Sequence, residues 1–131
     1  MWDSLDQYDK AMVYFELAMN IDFKAKGEDH PKVAIRRNNL GSAWDSLGQY
    51  DKAIEYYELA LASDLKTYGE DHPKVAIRRN NLGSAWDSLG QYDKAIEYYE
   101  LALTTFEKVL GADHPSTKTV ANNLASAKAE R

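Results

Sequence analysis

The sequence predicts an all-α chain built from helix-turn-helix repeats. Three observations support that prediction. The stretch at residues 27–61 returns letter for letter at 69–103, which sets a period of 42. Within it, apolar residues recur three and four apart, the pattern of one buried face on a helix. Each periodic segment also opens at or near a proline or a Gln-Tyr pair, and all but the last close near a glycine, the residues that start and stop helices.

The register runs through the whole chain: Trp2, Trp44 and Trp86; Tyr8, Tyr50 and Tyr92; His30, His72 and His114. Two complete units, 27–68 and 69–110, lie between partial units at 1–26 and 111–131, the last a terminal capping helix, so 1–131 reads as one array. Six helices are expected, near 7–25, 31–47, 50–67, 73–89, 92–110 and 115–130. The first is the most apolar, with Met12, Val13, Phe15, Met19, Ile21 and Phe23, and follows Asp6 where later units have Gly48. In the second, Pro31 suits a first turn that has no use for its missing N–H. Asp29 or His30 caps that end. Val33, Arg37, Leu40, Trp44 and Leu47 form its stripe, and Gly48 supplies a left-handed stop. The helix at 50–67 shows Ala53, Tyr57, Ala60, Leu61 and Leu65 on one face. Small residues, Gly41, Ala43, Ala53 and Ala60, let the two axes approach while Trp44, Tyr50 and Tyr57 fill the space around them. The helices at 73–89 and 92–110 repeat this logic. The last, at 115–130, has Ala125, Lys128 and Arg131 where the earlier unit has Gly41, Trp44 and Leu47, as suits a face turned to water.

Composition narrows the function. A net charge of −5 argues against nucleic acid, whose binding rests on surplus Lys and Arg. There are no cysteines, so thiol catalysis and thiolate zinc sites are excluded. No apolar run approaches the ~20 residues that span a bilayer, which argues against a membrane partner and makes a soluble cytoplasmic chain the default. The three histidines stand one whole repeat apart, whereas zinc ligands must converge within ~2.0–2.2 Å of one ion. Capping is their expected role, and no metal or cofactor is implied. Candidate Ser, Asp and His side chains recur in identical surroundings, so none is singled out for nucleophilic work, and the chain reads as a non-enzyme.

At "NNLGSAWDSLGQYDKAIEYYELAL" the chain resembles a tetratricopeptide repeat: Leu40, Gly41, Trp44, Gly48, Tyr50, Ala53, Tyr57 and Ala60 follow that family's pattern in order. The longer period and the Gly-Glu-Asp-His-Pro loop are similar to the long repeats of kinesin light chains and of many bacterial proteins. Arg37 and Arg79 depart from the pattern, which usually has an apolar residue there. The resemblance implies a right-handed α-solenoid whose first helices line a concave groove for a peptide or a partner protein. Carried over residue by residue, the groove would comprise Ile35, Asn38, Ser42, Asp45, Ile77, Asn80, Ser84, Asp87 and Asn122, with Thr119 and Ser126 extending it.

Two readings of the asparagines stand side by side. A ladder of carboxamides holds an extended backbone whatever its side chains; alternatively the pairs are structural, with Asn39, Asn81 and Asn123 binding main chain between helices. The basic residues Lys32, Arg36, Arg37, Lys74, Arg78 and Arg79 are likewise either a strip for an acidic partner or salt bridges to Glu55, Glu58 and Asp64 of stacked layers. A different class of function is self-assembly or spacing. There the apolar helix at 7–25 associates weakly with another copy, head-to-tail with the 115–130 end or front-to-front.

Overall fold

The computed structural model describes residues 31–131, and five helices fill them: α1 (Pro31–Ser46), α2 (Tyr50–Tyr68), α3 (Pro73–Ser88), α4 (Tyr92–Leu110) and α5 (Pro115–Glu130). Each lies within a residue of its expected bounds. The helix expected at 7–25, the Asp29 or His30 cap, and self-association through that helix all lie outside the described residues. Among those described, no helix is long and apolar enough to cross a membrane.

The helix ends follow from local chemistry. His72 and His114 have extended backbone and accept a hydrogen bond on Nδ1 from the N–H of Lys74 and Ser116, each at 3.1 Å, with proline opening the first turn. After α1 and α3 the chain reverses through Gly48 and Gly90, at φ 78° and 77°, a conformation that a Cβ disfavours. Between α2 and α3, the Glu70-Asp71 loop is tied on several sides. Arg79 bonds Glu70 and Lys108 bonds Asp71, each at 2.7 Å, while the Tyr68 ring stacks on His72 at 4.3 Å.

Every helix packs on its sequence neighbours, and α3 also touches α5. Two pairs, α1 with α2 and α3 with α4, form the layers. In each, a glycine on the first helix meets a tyrosine ring of the second. A Cβ built on Gly41 would stand 2.6 Å from the Tyr57 ring, and one on Gly83 would stand 2.6 Å from the Tyr99 ring. Val33, Leu40, Ala53 and Ala60 bury completely, as do Val75, Leu82, Ala95 and Ala102. Trp44 and Trp86, expected in the core, are half-buried: Trp86 bridges the two apolar clusters, while a lysine lies over each indole at 4.2–4.3 Å.

The layers are joined by chemistry that changes along the chain. Between α2 and α3, Asp64 and Arg78 make a buried ion pair, Nε to Oδ2 at 2.7 Å. One repeat later the equivalent positions hold Phe106 and Val120, which are equally buried and pack in the core that α4 and α5 share. One scaffold therefore accepts a charged and an apolar solution at the same joint. The joint predicts two unequal outcomes in denaturant melts. Asp64→Ala, which strands a buried guanidinium, should cost roughly 3–5 kcal/mol, whereas the double exchange Asp64→Phe with Arg78→Val should be neutral or stabilising.

A second prediction comes from the tyrosine contacts. Gly83→Ala should destabilise by about 1–3 kcal/mol, because the new methyl overlaps the Tyr99 ring and the helices must part. Ala125→Gly, at the equivalent but exposed position on α5, should cost no more than about 1 kcal/mol of helix propensity. Equal losses in thermal or urea unfolding would show that the close approach does not set the packing.

Candidate functional site

First helices α1, α3 and α5 stand side by side, and the second helices form the other side of the array. On the first-helix side, Asn81 donates its amide to Asn38 Oδ1 at 3.0 Å, and Asn123 donates to Asn80 Oδ1 at 3.2 Å. The partners lie 43 residues apart, one repeat plus one. The recurring pairs are thus rungs between neighbouring first helices, joined side chain to side chain rather than to main chain. Each rung engages the oxygen of Asn38 or Asn80 and leaves that residue's amide N–H groups for another acceptor. Asn122 is exposed on α5, as are Thr119 and Ser126.

Ile35 and Ile77 lie one turn before these asparagines, and both are 43% exposed. Thr119 holds the equivalent place on α5. One turn after the asparagines the expected groove residues turn out to be partly engaged. The Tyr57 hydroxyl donates toward Ser42 Oγ and Asp45 Oδ2, each at 3.3 Å, and the Tyr99 hydroxyl donates to Asp87 Oδ2 at 3.4 Å. Ser42 and Ser84 remain exposed, while Asp45 and Asp87 are half-buried. Burial raises the Asp45 carboxyl, and its bond from Tyr57 pulls it back. Burial likewise pushes the Tyr57 hydroxyl up to about 12, opposed by Ser42 and aided by the Asp45 charge. For Tyr99 burial and then the Asp87 charge act in the same direction.

The six expected cations separate into two groups, and three correct the idea of a continuous exposed strip. Arg37, Arg78 and Arg79 are buried, Arg78 against Asp64 and Arg79 against Glu70. For Arg78 and Arg79 the guanidinium reaches its carboxylate at 2.7 Å, a fixed and directional bond that suits a buried cation. Lys32 and Lys74 are exposed and Arg36 is half-buried. Lys32, Ile35 and Arg36 line a hollow of about 210 Å³ near the start of α1. His72 and His114 are spent on caps. Among the described residues, no group of three or more His, Asp or Glu is placed to hold a metal ion.

Paired helices stacked in register, with one row of first helices and one of second helices, define an α-helical repeat solenoid. The chain belongs to the tetratricopeptide repeat family, whose model matches residues 4–66, 44–103 and 87–131. Similar solved structures include BtubC (BKLC) from P. vanneervenii, at 28% identity and a TM-score of 0.87, covering 95% of this chain and 50% of that one. A putative kinesin light chain from Podosopora anserina with nearly identical TPR-like repeats is 27% identical, with a TM-score of 0.86 and coverage of 95% and 59%. The chain therefore spans between half and three-fifths of those proteins. No curated protein matches it. Tetratricopeptide repeats are protein–protein interaction modules.

The buried tyrosines predict an alkaline weakness. A phenol whose folded pKa lies above its ordinary 10.0 keeps its proton in the folded state. The stability it confers is complete below pH 10 and is lost as pH rises toward about 12. Urea melts across that window should show the decline, and Tyr57→Phe should reduce it. A decline of unchanged size in Tyr57→Phe would assign it to other groups.

Proposed function

We propose that the chain is a non-enzymatic scaffold that holds an extended peptide or partner segment along its first-helix side. The observation that supports this best is the pair Ile35 and Ile77, equally exposed at equivalent positions of adjacent first helices. A branched aliphatic side chain is worth ~1.5–3 kcal/mol on full burial, so covering what remains exposed offers roughly 1 kcal/mol at each layer. Beside each isoleucine, an asparagine rung offers amide N–H groups to a main-chain carbonyl. The rungs also hold the layers in register, so the subsites are pre-organised and little ordering is needed on binding. Likeness to kinesin light chain-type repeats supports the same reading.

Charge refines the partner. Lys32 and Arg36 line one hollow with Ile35 at the start of α1, a setting that favours an acidic segment with apolar anchors. Peptide-array capture with the purified chain tests the proposal against an Ile35→Ser/Ile77→Ser variant. The exchange removes the anchors and leaves the rungs and tyrosine contacts in place. Capture should fall for most bound peptides while the circular dichroism melt stays nearly unchanged. Undiminished capture by the variant would move the binding surface away from the first helices.

A further inference from the structure

On the other side of the array, α2 and α4 flank a hollow of about 350 Å³ whose floor is Arg79 and Trp86 of α3. Leu61 and Leu101 form apolar walls, and Leu101 is 42% exposed although it sits mid-helix. Glu58 of α2 and Glu97 of α4 complete the rim together with Lys94 and Tyr98. By count the charges balance, so their commitments decide the sign. Arg79 is spent on Glu70 at 2.7 Å, and Lys94 lies over the Trp86 ring at 4.2 Å. Glu58 and Glu97 make no ion pair among the described residues. The Tyr98 phenol reports the balance. Burial is the first cause that raises it; the Glu58 and then the Glu97 charge add to that, and both outrank the opposing effect of Arg79.

We propose that this hollow is a second docking site, which takes an arginine or lysine side chain from a partner protein. Its aliphatic stem packs between Leu61 and Leu101, and its charged head lies between the Glu58 and Glu97 carboxylates. An unbranched stem with a cationic tip fits walls that are apolar below and acidic at the rim. Arginine fits better than lysine, because its planar fork serves two carboxylates and stacks on a tyrosine ring. The site stands apart from the isoleucine groove and does not depend on what binds there. A partner could therefore engage both sides at once, an acidic segment on one and a basic residue on the other.

The probe is the capped peptide acetyl-Ala-Arg-Ala-amide, titrated into the ¹⁵N-labelled chain. Its controls carry norleucine or glutamate in place of arginine. Shifts should concentrate at Leu61, the Trp86 indole, Tyr98 and Leu101, and should be strongest for arginine. In Glu58→Gln/Glu97→Gln the affinity should weaken roughly ten-fold, the loss of two partly exposed ion pairs, with the rest of the spectrum unchanged. The proposal is overturned if norleucine binds as well as arginine, if the double variant binds arginine unchanged, or if no peptide shifts these residues. Arginine-specific shifts confined to Ile35 and Ile77 would overturn it as well, and would bear on the groove instead.

Discussion

Contact between a glycine backbone and a tyrosine ring governs the layer geometry. At Gly41 and Gly83 the first helix has no side chain, so the ring of Tyr57 or Tyr99 lies directly on its backbone. That approach carries the phenol past the glycine, where its hydroxyl reaches Ser42 and Asp45, or Asp87. A residue that fills the core in one layer thereby also orders polar groups at the surface of the first helix. Small residues at Ala53, Ala60, Ala95 and Ala102 make the rest of the approach feasible, each with no exposed surface.

Layers are held to one another by weaker and more varied means. The asparagine rungs recur unchanged on the first-helix side, and each couples neighbouring helices without consuming all the hydrogen-bonding capacity of its members. On the buried joint the chain exchanges Asp64 and Arg78 for Phe106 and Val120 without changing the helices around them. The ion pair satisfies itself only when both members are present, whereas the apolar pair depends on shape alone. Such an array keeps its register while the energy of each joint varies, which is how nearly independent repeats combine into one folded body.

The two sides are chemically different because the helices have different neighbours. First helices show isoleucine and carboxamide between lysines; second helices show carboxylates above leucine. The same contacts that hold the layers together also set the spacing of these two unlike faces.

Much of the architecture was legible in the sequence. The exact repeat, the His-Pro starts, the glycine stops and the three-and-four spacing placed five described helices to within a residue, because those signals act over one or two turns. The glycine and alanine positions also foretold a close approach. Tertiary structure alone decided how polar residues are used. Asn38 and Asn81 are 43 residues apart, and only stacking shows that they meet. Asp64 and Glu70 hold Arg78 and Arg79 at 2.7 Å each, and nothing in the letters next to those arginines says so. Half-burial of Trp44 and Trp86 likewise depends on the neighbouring layer. A sequence states which side chains a helix carries along each face, but which faces meet depends on neighbours a whole repeat away.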